Sequence, residues 1–318
     1  MDNARRNLLI SAGVSAGAAL LNPFSATIAS ADTPLPYPRI ADTSAASPDL
    51  VNFLYAYFAA KTRANVDQTM SFFSPKLVTY TDATLGWDAP GWAILKAFFA
   101  QYMPNWPSTA KSYPTRILGD MRSAVVVFTD TKELFGGEIH GVGALDFEDG
   151  KVVRWVDYWD SRGWPNTFNL QKQTLQNWHQ SALQERASPQ VREVTARLTA
   201  ALSAADARAA ASLFSYDALY EDVPSRVQII GRTMIESYFG RALTQLPNGF
   251  GSGLRHIFGS HAGGGFEWIA ASNSGIPGGV TVLTLDSSGA ITRATTMYDG
   301  GRFSQASLQA MSALAIEP

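Results

Sequence analysis

Carboxyl groups set among aromatic side chains are the residues in this chain whose types and spacing could do chemistry, and that chemistry is proton transfer. After the turn signal Glu148-Asp149-Gly150, the run from Lys151 to Trp159 alternates so that Trp155, Asp157 and Trp159 share one face, with Arg154, Val156, Tyr158 and Asp160 on the other. An aspartate between two indoles loses hydration once that face is buried. Its charged form is then disfavoured, and its pKa rises toward the range where a carboxyl both gives and takes protons near neutrality. Asp82 and Asp222 each follow a tyrosine by two positions, in Tyr80-Thr81-Asp82 and Tyr220-Glu221-Asp222, at the ends of short strand-like runs. Such a position suits either a proton carrier or a turn residue that bonds its own backbone. His140 lies on a strand where a one-residue register shift decides whether it faces inward, toward Asp157, or outward as an ordinary surface residue. His256 and His261 flank a glycine-rich run, His261-Ala262-Gly263-Gly264-Gly265, with no third ligand and without the Gly-Lys-Ser/Thr of a phosphate loop. No metal and no cofactor are expected.

The elements that must position these residues occur twice. Phe73 answers Phe214, Tyr80 and Asp82 answer Tyr220 and Asp222, Gly91 and Phe99 answer Gly231 and Phe239, and Gly150, Arg154 and Asp160 answer Gly289, Arg293 and Asp299. Each block opens on Ser-Pro, Ser47-Pro48 and Ser188-Pro189, an N-cap followed by proline at the first helical position. Leu50, Leu54, Tyr57 and Phe58 then form an apolar stripe at helical spacing. A short strand, a second helix opened by glycine, and an antiparallel meander follow, so the class is α+β. The domains expected are an export signal at 1–31, an extended Pro- and Ala-rich lead-in at 32–46, a first copy at 47–162, a linker at 163–187 with a helix from about Leu170 to Arg186, and a second copy at 188–318 closed by a terminal helix.

Arg5-Arg6 before a weakly apolar run, with Ala29-Ser30-Ala31 as a small-x-small cleavage site, reads as a twin-arginine or general secretory signal. Export to the periplasm or the medium follows, and no other stretch is apolar and long enough to span a bilayer. An exported chain with no cysteine excludes disulfides, thiolate zinc sites and thiol nucleophiles. With 25 Lys and Arg against 27 Asp and Glu and no long basic run, nucleic acid and anionic membrane are not expected partners.

Tyr57-Phe58-Ala59-Ala60, Val66-Asp67, Phe72-Phe73 and Tyr80-Thr81-Asp82, with their second-copy counterparts, resemble the ketosteroid isomerases and SnoaL-like polyketide cyclases of the nuclear-transport-factor-2 superfold. The resemblance implies two tandem cone-shaped domains, each a curved antiparallel sheet wrapped around helices. It turns Trp155, Asp157 and Trp159 toward the cone. It also places Tyr57 where the isomerases keep a hydrogen-bond donor and Asp82 or Asp222 where they keep the base, and SnoaL-like cyclases carry an acid/base aspartate near Asp157. The second copy has Leu198 in place of Tyr57 and Thr296 in place of Asp157. The remaining acid of the isomerase oxyanion hole falls near Val142 or Gly143, where no acid exists, so another donor is needed.

Six of the eight tryptophans belong to the first copy or its edge, which suggests an aromatic-lined pocket there. The expected site is therefore Asp157, Asp82, Tyr57 and His140 as catalytic groups, with Trp155, Trp159, Tyr80, Trp87 and Trp92 around a small hydrophobic or aromatic ligand. A second-copy pocket would use Asp222, Tyr220 and Tyr298. The function expected is cofactor-free acid/base catalysis (isomerase, cyclase, lyase or dehydratase) on an apolar ring. The alternatives are a non-catalytic binding module and, ranked last because no inward arginine is evident, a hydrolase like the limonene epoxide hydrolases, which need an Asp-Arg-Asp relay. The open sheet face of each copy needs a cover, which makes an internal pseudo-dimer of the two copies attractive.

Overall fold

The computed structural model describes residues 34–165, 171–175, 185–272 and 274–317. The expected export segment lies outside them, as does most of the stretch for which a linker helix is expected. In chain order the elements are β1 (Asp42–Ala46), α1 (Pro48–Thr62), α2 (Val66–Met70), β2 (Thr79–Asp82), β3 (Trp87–Ala89), α3 (Trp92–Tyr102), β4 (Ser112–Gly119), β5 (Ser123–Asp130), α4 (Lys132–Phe135), β6 (Ile139–Glu148) and β7 (Lys151–Trp159). They continue with α5 (Pro189–Ser203), α6 (Ala207–Ala211), β8 (Phe214–Asp222), β9 (Val227–Ile230), α7 (Arg232–Ala242), β10 (Gly253–Ser260), β11 (Gly263–Ile269), β12 (Gly278–Leu285), β13 (Ile291–Met297) and α8 (Gln305–Ala313).

Two mixed sheets carry the same strand order. The first runs β1-β4-β5-β6-β7-β2-β3 and the second β10-β11-β12-β13-β8-β9. Apart from β1, each step of one has its counterpart in the other, including a parallel pair, β2 on β7 and β8 on β13. The expected wholly antiparallel sheet is thus corrected. The short strand that precedes the second helix returns beside the last strand of the meander and runs parallel to it. β1 lies in the stretch read only as an extended lead-in, and it pairs parallel with β4 at the sheet edge.

The local causes repeat as well. Ser47 Oγ accepts from Leu50 N and Ser188 Oγ from Val191 N, each at 3.4 Å, capping α1 and α5. Both helices leave through an alanine in the left-handed region, Ala64 and Ala205, each at φ 53°. α1 buries Leu50, Leu54, Tyr57 and Phe58 against the concave side of the first sheet. Burial of each such apolar side chain is worth about 1.5–3 kcal/mol. The glycine-rich run Gly263 to Gly265 opens β11, and a Cβ on Gly264 would stand 2.0 Å from the carbonyl oxygen of Phe258 on β10.

The opposite faces of the two sheets meet. Val125, Val142, Ala144, Val156 and Tyr158 pack with Phe258, Val280, Val282 and Met297 in one buried cluster. Inside it Arg154, fully buried, donates to Glu267 Oε2 at 2.6 Å, and His256 Nε2 lies 2.7 Å from Asp146 Oδ2. At its edge Asp299 accepts from the Ser161 backbone and hydroxyl and pairs with Lys172 and Arg302. Asp160 pairs with Arg162. Both aspartates are ion-pair partners, and Asp299 is buried. No helix among the described residues is long and apolar enough to cross a membrane.

Candidate active site

The concave side of the first sheet and helices α1 and α3 enclose a cavity of about 130 Å³. Its wall is mainly aromatic (Tyr80, Trp87, Phe98, Phe99, Tyr102, Trp106, Phe128, Phe135, Trp159, Trp164), with Asp82, Asp88, Asp130, Asp157 and Lys61 as its charged groups. Volume sets a size limit. A cavity of roughly 150 Å³ holds one benzene ring, so the space suits a single ring rather than a polycycle.

Asp157 stands at the centre. It is 5 % exposed and accepts two hydrogen bonds, from Tyr80 OH to Oδ2 at 2.6 Å and from Trp155 Nε1 to Oδ1 at 2.5 Å. Burial dominates its titration and pushes the carboxyl up to about 7, although Tyr80, Trp155 and the charge of Lys61 pull the other way. Asp82 is its register partner on the adjoining parallel strand β2. Oδ1 of Asp82 accepts from Leu85 N at 2.8 Å, which closes the turn after β2, while Oδ2 accepts from Trp159 Nε1 at 2.9 Å. Asp82 is thus a turn residue through Oδ1 and also lines the cavity. Burial raises it to about 6 despite those donors. Two carboxyl groups on neighbouring strands are thus both raised by burial, and the charge of Asp82 adds a little to the rise at Asp157.

The local sequence makes room for this arrangement. On β6 the inward positions opposite Trp159 and Asp157 are Gly141 and Gly143. A Cβ on Gly143 would lie 2.7 Å from Trp155 Nε1 and 3.0 Å from Asp157 Oδ1, and one on Gly141 would lie 2.4 Å from the Phe128 ring. The position where the resemblance asks for another acid is thus empty so that an indole N–H can reach Asp157 instead.

Several expected site residues stand elsewhere. Tyr57 is fully buried behind the cavity, its ring centroid 4.9 Å from that of Trp155, and its hydroxyl has no hydrogen-bond partner among the described residues. It is not among the residues that line the cavity. The phenol that meets the acid is Tyr80, whose ring stacks on Trp155 with centroids 5.9 Å apart. Trp155 is itself withdrawn from the cavity wall and acts on Asp157 rather than on a ligand. Trp92 is absent from the wall too, since its Nε1 donates to the Met70 carbonyl at 3.2 Å. His140 faces outward, 65 % exposed, with Nε2 2.9 Å from Glu138. Strand alternation explains it, because Ile139 takes the inward position. Trp159 and Trp87 do line the cavity, the latter stacked on Phe98.

Lys61 and Asp130 were missed by sequence reasoning. Lys61 follows Tyr57 by one helical turn on the same face of α1, and its Nζ lies 2.9 and 3.1 Å from the two carboxylate oxygens of Asp130 at the end of β5. Asp130 also accepts from Ser112 Oγ. The available signal was a lysine inside an apolar helical stripe, a position that only a paired ammonium tolerates.

In the second half Asp222, Tyr220 and Tyr298 lie deep in a packed core. None is more than 3 % exposed. Asp222 accepts from Ser225 N at 3.0 Å and from Tyr298 OH at 3.1 Å, and burial raises its pKa. Thr296, opposite Asp222 on β13, replaces the second acid. Among the described residues no group of three or more His, Cys, Asp or Glu could hold a metal ion.

No family model and no curated protein matches the chain. Solved structures do. A putative ketosteroid isomerase from Kribbella flavida DSM 17836 is 23% identical and is covered over 82% of its own length by 37% of this chain, with a TM-score of 0.31. A steroid delta-isomerase from Pseudomonas aeruginosa is 13% identical, covered over 93% by 42% of this chain, with a TM-score of 0.33. An NTF-2-like protein from Burkholderia xenovorans LB400 is 18% identical, covered over 82% by 35% of this chain, with a TM-score of 0.30. These NTF-2-like and ketosteroid-isomerase-like proteins belong to the group that the sequence motifs resemble.

Proposed function

We propose that this protein is a cofactor-free acid/base enzyme that moves a proton on a single-ring, largely apolar substrate held in the first-half cavity. The observation that carries the reading is Asp157, a carboxyl raised to about 7 at the wall of an aromatic cavity and oriented by Tyr80 and Trp155. A group so poised is available as base and, once protonated, as acid without large cost in either direction. Asp157 takes a proton from a carbon next to an electron-withdrawing group and returns it elsewhere on the ring, while Asp82 supplies or receives the second proton. Isomerisation, cyclisation and elimination all fit that scheme. The second half is the supporting copy, because Thr296 removes its acid pair. We further propose that the two halves are tandem cones of the nuclear-transport-factor-2 type packed as an internal pseudo-dimer, and that the protein is exported through its Arg5-Arg6 signal.

Cyclohexenone in deuterated water tests the reading. Proton NMR should show protein-dependent exchange of the hydrogens next to the carbonyl, and Asp157→Asn should slow it at least about 100-fold, the usual scale of a general base. Ring binding without any exchange would instead favour the non-catalytic binding module. The cation in the cavity wall is Lys61 rather than the arginine of an Asp-Arg-Asp relay, so epoxide opening is the reading least supported.

A further inference from the structure

A buried ammonium in a wall otherwise built of rings and carboxyl groups has no part in the proton transfer described above. Lys61 is 5 % exposed and Asp130 3 %, yet both face the cavity. The ammonium carries three donors. Asp130 takes two of them, and the cation lies 5.3 Å from the centroid of Phe128 and 5.9 Å from that of Phe58. Ser112 Oγ holds Asp130 from the far side, and Thr62 Oγ1 accepts from Ser112 N at 2.9 Å, so the pair is braced by α1 and β4 together. A pair this rigid keeps its remaining N–H in one direction. Asp130 balances the charge of Lys61, so a neutral ligand enters without meeting a net ion, and only oxygen that gains negative charge draws further on the ammonium.

We propose that Lys61 is the oxygen-binding group of the site, and that the substrate class is a single-ring carbonyl compound whose enolate oxygen it holds while Asp157 handles the proton. This rests on the proton-transfer reading for the role of Asp157. It completes the site, because the position near Gly143, where another acid was sought, is filled by Trp155 and offers no donor to a ligand. The donor set then consists of one ammonium on helix α1 and one neutral acid on strand β7, both in the wall of the same cavity. Asp130 becomes a positioning residue that sets the direction and the availability of the ammonium.

Para-nitrophenol is the probe, since it is one ring bearing an acidic oxygen and its phenolate has its own visible absorbance. At mildly acidic pH, where Asp157 is protonated, the bound phenol should ionise at least about tenfold more readily than in free solution, one pKa unit. Asp130→Asn should tighten phenolate binding, because the ligand oxygen then becomes the sole anion beside Lys61. The double variant Lys61→Met, Asp130→Asn, which removes the ions as a unit and avoids a stranded charge, should abolish the ionisation shift while circular dichroism shows a folded chain. Opposite signs from the two variants are a result that a purely structural pair does not give. No ionisation of phenol by the wild-type protein, weaker phenolate binding in Asp130→Asn, or an unchanged shift in the folded double variant would each overturn the inference. Asp157→Asn separates the two claims. If it leaves the phenolate shift intact and also leaves cyclohexenone exchange intact, the oxygen site stands and the proton-transfer reading falls. Should the double variant keep the shift while Asp157→Asn loses exchange, the reverse holds.

Discussion

Replacing Asp157 by asparagine should stabilise the fold at alkaline pH while it removes activity, and the size of the gain follows from the site. In the unfolded chain Asp157 titrates near its ordinary value of 3.8, whereas in the native cavity burial raises it to about 7. Below the lower value both states carry the proton and the group contributes nothing. Between the two values the native state binds more protons than the unfolded state, so stability falls as pH rises, and above about 7 the full penalty is present. At 1.36 kcal/mol per unit that penalty is roughly 4 kcal/mol, an upper figure because part of the rise comes from the charge of Asp82 and is absent where Asp82 is protonated. Asparagine never ionises. Its carbonyl oxygen can accept from Trp155 Nε1, and its amide can donate to Tyr80 once that hydroxyl turns to accept, so the hydrogen bonds survive in number. Urea unfolding of both proteins across the range from acid to alkaline pH tests this. The curves should coincide at low pH and diverge above neutrality in favour of Asp157→Asn. A difference that is flat with pH, or a variant less stable at every pH, would refute the claim that burial sets the titration of this group.

Three further expectations concern the surroundings of that carboxyl. Tyr80→Phe removes a charge-assisted hydrogen bond to ionised Asp157, worth about 1.5–3 kcal/mol, so the pKa read from a pH–rate profile should move upward by about one to two units and a downward move would exclude the assignment. Gly143→Ala places a Cβ 2.7 Å from Trp155 Nε1 and 3.0 Å from Asp157 Oδ1. It should cut turnover about tenfold or more by displacing both, since misplacement of about 1 Å at a reacting group can cost still more, while thermal melting shows a folded protein. Arg154→Met strands Glu267 and Asp146 between the two sheets and should cost about 3–5 kcal/mol by denaturant unfolding, much of which the double change Arg154→Met, Glu267→Leu restores.

The duplication gives these expectations their asymmetry. Both halves keep the capping serine, the left-handed alanine and the parallel return strand, which are requirements of the backbone. They differ in what points inward from the last strand, Trp155 and Asp157 in one half and Ala294 and Thr296 in the other. A half with no second acid has no pair to tune. Its remaining carboxyl, Asp222, is taken up by the turn at Ser225 and by Tyr298.

Local periodicity determined a good deal by itself. The alternation after Gly150 assigned Trp155, Asp157 and Trp159 to one face, and Ser-Pro pairs marked two helix starts, because side-chain direction along a strand and capping at a helix end depend on neighbours a few residues away. What the tertiary structure decided depended on contacts distant in sequence. Tyr57 and Tyr80 are both inward phenols, and only the depth of α1 against β7 shows that the first lies behind Trp155 and the second touches Asp157. Lys61 met Asp130 across 69 residues, and no spacing rule links a helix lysine to the end of a strand that far along the chain. The side of His140 followed from the register between β5 and β6, a choice fixed by how whole strands pair. The return of β2 beside β7, which brings Asp82 to Asp157, is likewise a property of the assembled sheet. Sequence named the residues able to carry a proton, and packing chose which of them share a cavity.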